Sequence, residues 1–65
     1  MAKYEGMLNL KLMRTKRRMT QQELGERIGS NRKVICSYET GWRYPRRDVL
    51  EKLANALDCE VKDIV

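Results

Sequence analysis

TQQELGERIGSNRKVICSYETG, residues 20–41, is the stretch whose reading decides the fold. Thr20 is a good helix N-cap, and Glu23 three residues later completes the capping-box pattern ahead of an apolar residue. Leu24 and Ile28 stand four apart and share one helix face. Gly29 then supplies a stop, because glycine takes the left-handed conformation at little steric cost. Ser30 or Asn31 can cap a second helix at once. In that second helix Ile35 and Tyr38 face one side. Two helices so short cannot bury their stripes alone, so they must pack on each other and on something else. Gly25 agrees with this: a glycine inside a helix costs about 1 kcal/mol relative to alanine. Close approach of the next helix is the reason favoured here over a tolerated weak position.

Two helices joined by a short glycine-containing turn form a helix-turn-helix unit. Around it, the pattern predicts helix 1 over about Leu8 to Arg18, helix 2 over Gln21 to Ile28 and helix 3 over Arg32 to Thr40. Helix 4 is predicted from about Arg47 to Leu57, with Asp48 in its first turn and Leu50, Leu53, Ala54 and Leu57 as its core stripe. Asp58, Cys59 and Glu60 make a turn, and Val61, Ile64 and Val65 start a last short helix that either seals the core or makes a dimer seam. Residues 1–7 show no helical pattern and are expected to be a frayed, flexible segment, with Tyr4 open to the core or to a partner. Residues 8–65 form the one domain. A chain of this size buries about 60% of its unfolded surface, so its stability should be modest.

The net charge of +5 is unevenly spread. Residues 1–47 hold twelve Lys/Arg against four Asp/Glu, a net +8, and residues 48–65 hold two against five, a net −3. One part of the molecule therefore attracts polyanions and the other does not. A merely solvated surface accounts for the total but poorly for the segregation. There is no histidine, and two cysteines, Cys36 and Cys59, are too few for a closed zinc site. No metal or cofactor is expected. No nucleophile–base pair and no phosphate-cradling glycine loop is present, which argues against an enzyme. MAKYEGMLNLKLM lacks the sustained apolar run of a signal peptide and nothing reads as membrane-spanning, so a cytoplasmic location is expected.

The second helix of the unit carries Lys33, Cys36, Ser37 and Thr40 on its outer side, with Arg32 on the flank and Glu39 as its one acid. Such a helix fits the major groove of double-stranded DNA, where Arg, Lys, Ser and Asn reach base edges. Glu39 lies next to inward Tyr38, and Arg14 stands four after Leu10, on or beside a buried face. An Arg14–Glu39 ion pair joining helix 1 to helix 3 removes both anomalies. The loop 41–46, GWRYPR, mixes aromatics and cations. Arg43, Arg46 and Arg47 suit phosphate oxygens, whereas Trp42 and Tyr44 could equally contact phosphate or cover the open end of the core.

Taken in order, Leu10-x-x-Met13-Arg14, Met19-Thr20-Gln21-x-x-Leu24-Gly25, Ile28-Gly29, Ile35-x-x-Tyr38-Glu39-x-Gly41, Pro45 and Leu50-x-x-Leu53-Ala54-x-x-Leu57 resemble a Cro/C1-type (XRE-like) helix-turn-helix domain. The resemblance covers about residues 8–65. It implies an all-α, compact five-helix phage-repressor-like fold, with the helix-turn-helix formed by helices 2 and 3. It further implies a sequence-specific transcriptional regulator, a repressor binding a palindromic operator as a homodimer through the C-terminal helix and the turn before it. By the same resemblance Gln21 contacts a phosphate, Asn31, Arg32, Lys33 and Ser37 meet bases or adjacent phosphates, and Arg43 and its neighbours Trp42, Tyr44 and Arg46 meet the backbone. Three positions depart from the pattern: Gly25 replaces the usual Ala, Arg18 stands where Gly is common, leaving room for a different turn, and Trp42 stands where Lys is frequent. The competing reading is an antitoxin-like protein-interaction module that docks another protein on Val61, Ile64 and Val65.

Overall fold

Thr20 opens the second helix as expected, its hydroxyl accepting from the Glu23 N–H while the Glu23 carboxylate accepts from the Thr20 N–H, both at 3.0 Å. The computed structural model describes residues 2–65, so Met1, part of the segment expected to be frayed, lies outside the described residues. In chain order the helices are α1, Leu8–Lys16; α2, Gln21–Arg27; α3, Arg32–Thr40; and α4, Arg47–Ala56; a 3-10 turn, Val61–Asp63, follows. The expected fifth helix is thus a correction: the described residues form four α-helices and one 3-10 turn. Its cause is local. Asp63 folds back on Glu60, its N–H donating to the Glu60 carbonyl and its carboxylate accepting from the Glu60 N–H, both at 2.9 Å. That i→i+3 closure is the tighter geometry of a 3-10 helix.

Each helix stops at one residue in the left-handed conformation. These are Arg18 (φ 58°), Gly29 (74°), Gly41 (93°) and Asp58 (53°). In α1, α2 and α4 the two amides after the helix reach back in the same way. Arg18 and Met19 donate to Thr15 and Arg14, Gly29 and Ser30 to Glu26 and Gly25, and Asp58 and Cys59 to Asn55 and Ala54. This is the Schellman closure, which satisfies carbonyls that a helix end leaves without partners. Arg18 therefore keeps the turn a glycine would make, and α1 ends at Lys16, short of the expected Arg18.

The core is formed by Met7, Leu10, Leu24, Ile35, Tyr38, Leu50, Leu53, Ala54, Leu57 and Ile64. Of the two roles open to the chain's last apolar residues, Ile64 takes the first, being fully buried, while Val65 stays exposed. Arg17 ties α1 to the end of α4, donating from Nε to the Leu57 carbonyl at 2.8 Å and from Nη2 to that of Asp58 at 3.2 Å. Gly25 is explained by its surroundings: a Cβ there would collide with the backbone of Asn31. The turn between α2 and α3 is folded back that tightly, and α2 and α3 pack more closely on each other than any other pair.

The N-terminal segment makes contacts that the expectation of fraying did not foresee. The N–H groups of Lys3 and Tyr4 donate to the Gly41 carbonyl at 2.7 and 3.1 Å, and Met7 N–H donates to that of Tyr38 at 3.0 Å. Gly6 and Gly41, both at positive φ, interlock with the opposing backbone: a Cβ on Gly6 would strike the Glu39 carbonyl, and one on Gly41 the Tyr4 carbonyl. Met7 closes the contact from the inside as a core residue.

Candidate nucleic-acid interface

Asn31 starts α3 by accepting the Val34 N–H on Oδ1 at 3.1 Å. Its amide Nδ2 makes no bond within the protein and points from an exposed residue. Ile35 and Tyr38 turn into the core, which leaves Arg32, Lys33 and Thr40 exposed and Cys36 and Ser37 half-buried along the outer side. Among the described residues Arg32 and Lys33 form no ion pair or side-chain hydrogen bond, which leaves their donors open to a ligand. The Ser37 hydroxyl donates to the Val34 carbonyl at 2.6 Å, which leaves its oxygen available as an acceptor.

Glu39 does not disturb this basic face. Its carboxylate accepts from Arg14 Nε at 2.7 Å, from Arg14 Nη2 at 3.1 Å and from Gln21 Nε2 at 3.1 Å. Arg14 Nη1 also donates to the Met19 carbonyl at 2.7 Å. The two charged side chains are 10% and 3% exposed, Arg14 and Glu39 respectively. The expected pair is thus present as a four-residue network joining α1, the corner before α2, the first residue of α2, and α3. It also engages one N–H of Gln21, the residue expected at a phosphate, so only the rest of that amide is open to an outside ligand.

Past Gly41 the chain turns outward. The N–H groups of Gly41, Trp42 and Arg43 all point at the Ser37 carbonyl, at 3.2, 2.9 and 3.2 Å. Trp42 is 48% and Tyr44 57% exposed, so neither ring is buried over the core; Pro45, which follows them, is buried. Arg43, Arg46 and Arg47 are exposed beside them. The Tyr44 ring meets the Tyr4 ring edge-on, with centroids 5.6 Å apart. A groove lined by Ser30, Val34 and Tyr38, by Arg43, Tyr44 and Arg46, and by Asp48 and Val49 runs between α3, this loop and the start of α4.

A second groove, lined by Gln22, Glu26, Ser30, Asn31, Arg32 and Lys33, lies on the α2 side of the α3 N-terminus. Gln22 was not singled out by sequence, and Ser30 only as a candidate helix cap. Both are polar residues at helix ends, and only the fold shows that they border Arg32 and Lys33. Cys36, half-buried on this side of α3, and Cys59 are both free thiols, and burial, reinforced by the Asp63 carboxylate, pushes the Cys59 thiol up. Among the described residues no helix is long and apolar enough to cross a membrane.

The Helix-turn-helix family model matches residues 10–64. The chain is 36% identical over 50 residues to the uncharacterized HTH-type transcriptional regulator YqaE of Bacillus subtilis (strain 168), covering 77% of this chain. It spans 43% of that relative, less than half of its length. In structure it resembles the restriction-modification controller protein C.AhdI of Aeromonas hydrophila, with a TM-score of 0.83, 30% identity, and coverage of 88% of this chain and 83% of that one. Family model, relative and solved structure point the same way, and the chain belongs to the Cro/C1-type (XRE-like) helix-turn-helix family of transcriptional regulators.

Proposed function

We propose that this protein is a sequence-specific double-stranded DNA-binding regulator, a repressor that binds a palindromic operator as a homodimer. In this reading α2 and α3 are the helix-turn-helix, and α3 enters the major groove. Asn31, Arg32, Lys33 and Ser37 meet bases or adjacent phosphates there. Gln21, Trp42, Arg43, Tyr44 and Arg46 hold the phosphate backbone on either side.

The observation that carries the proposal is the division of charge on α3. Its only acid is turned into the protein and neutralised by Arg14, while Arg32 and Lys33 stand exposed with every donor free. Arginine and lysine make their best specific contacts with guanine O6 and N7. Two copies of α3 reading a palindrome would sit about 34–36 Å apart, one turn of the duplex. Val65, beside the half-buried Val61 and the turn before it, is the exposed apolar residue that the C-terminal end offers a second copy, since Ile64 is committed to the core and Val61 packs against it.

The test is binding to the DNA upstream of the protein's own gene against a scrambled duplex, at several salt concentrations. The reading expects salt-dependent binding with a clear preference for the upstream site. Steep salt dependence without preference would reduce the protein to an electrostatic binder of that DNA. No binding at low salt would refute the proposal and favour a protein partner. Sedimentation of the complex would show whether two chains occupy the site.

A further inference from the structure

The four last carbonyls of a helix have no partner within it. At the end of α3 the Ser37 carbonyl is met by amides of the following loop, and the Tyr38 carbonyl by the opposite end of the chain. Tyr38's carbonyl takes the Met7 N–H and the Tyr4 hydroxyl, the latter at 2.8 Å. The same hydroxyl lies 2.6 Å from the Arg43 carbonyl, so its single hydrogen is shared between the last turn of α3 and the loop that follows. The Tyr4 ring braces Tyr44, and the Tyr4 N–H holds Gly41. The segment cannot shift outward as a hinged flap without breaking the Gly6–Glu39 and Gly41–Tyr4 approaches, where no side chain fits.

We propose that Tyr4 is a positioning residue for DNA-backbone binding. It locks the Trp42–Tyr44 loop to the C-terminal end of α3, so that the loop meets phosphate in register with the base-reading side chains. This rests on the DNA-binding reading above. Arg43 is held by its own carbonyl, which fixes the backbone from which its guanidinium projects. Tyr4 itself need touch no DNA.

Tyr4→Phe removes the hydroxyl and keeps the ring. Affinity is measured on operator and scrambled duplex at temperatures where circular dichroism shows the variant fully folded. The expected result is binding about three- to tenfold weaker on both duplexes, the range that one hydrogen bond commands. The ratio between the duplexes should not change, and the salt slope should fall by up to about 0.9, one phosphate contact. In an Arg43→Ala background the same substitution should lose most of its effect, which a merely structural role would not produce. Unchanged affinity and slope in a folded Tyr4→Phe protein overturn the proposal, as does a loss confined to the operator, which would place Tyr4's influence on α3 and not on the loop. If the variant does not fold, amide exchange on the wild type decides. Protection of Tyr4 and Met7 should rise on binding scrambled duplex, and no change overturns the proposal. Failure of the wild type to bind any duplex would instead be a failure of the DNA-binding reading.

Discussion

Replacing Arg14 with methionine tests the network at its centre. Methionine keeps most of the volume of the arginine stem and removes every donor. Glu39, 3% exposed, would then be left buried with Gln21 Nε2 as its one remaining side-chain donor. Breaking a buried pair from one side costs about 3–5 kcal/mol, because the orphaned charge stays desolvated. The whole domain, at about 0.05–0.15 kcal/mol per residue, holds about 3–10 kcal/mol, so the substitution should remove a third or more of its stability. With a urea slope of about 1 kcal/mol/M for so small a protein, the midpoint should fall by about 3 M. Urea unfolding followed by far-UV circular dichroism measures this. The double variant Arg14→Met with Glu39→Leu removes the stranded charge as well, and should regain at least about 1 kcal/mol over the single one. A single substitution costing less than about 1 kcal/mol would show the pair behaving as a surface contact. That result, or a double variant no better than the single, would refute the reasoning.

Arg18 and Asp58 occupy left-handed positions that cost an L-residue about 1–2 kcal/mol. Arg18→Gly and Asp58→Gly should each raise stability by about 0.5–1 kcal/mol, part of the gain being returned as entropy of the unfolded chain; thermal melts read the sign. The Glu23 carboxyl is held below its ordinary value by the backbone N–H of Thr20, then by the Thr20 hydroxyl. A depressed carboxylate stabilises above its unfolded value and loses that contribution as pH falls through the folded one. The acid limb of stability below about pH 4.5 should therefore be shallower in Glu23→Gln, measured by urea midpoints against pH. For DNA, Arg32→Ala should cost about 1–3 kcal/mol on the preferred site and relax its specificity. Equal loss on all duplexes would assign Arg32 to phosphate alone.

Much of this architecture was legible because side-chain periodicity and capping chemistry are written locally. Thr20, Glu23 and Asn31 cap where they are expected to, and the Arg14–Glu39 pair follows from two charges that the helix wheels place inward. The left-handed stops were legible at Gly29 but not at Arg18, and at Asp58 the turn was expected but not its left-handed conformation; at both, hydrogen bonding to backbone, and not residue type, selects it. The docking of residues 3–7 was hidden for a related reason: its bonds run mostly between backbone groups about 31–38 residues apart, and no side-chain pattern announces such contacts. Residue types also named the groove face without showing which donors were already engaged. Ser37 and Gln21 carry suitable donors by residue type, but only the fold commits one hydroxyl to Val34 and one amide N–H to Glu39.

The two fixed ends of α3 set a ruler. Asn31 caps it and Gly41 stops it, so its nine residues can neither slide nor lengthen. At about 1.5 Å per residue the helix is about 13.5 Å long. Base pairs are stacked about 3.4 Å apart, so a helix of that length spans about four of them. One protomer's direct reading window in the proposed complex is therefore about four base pairs wide. Any preference the protein shows beyond that window would have to be read through the shape and stiffness of the duplex.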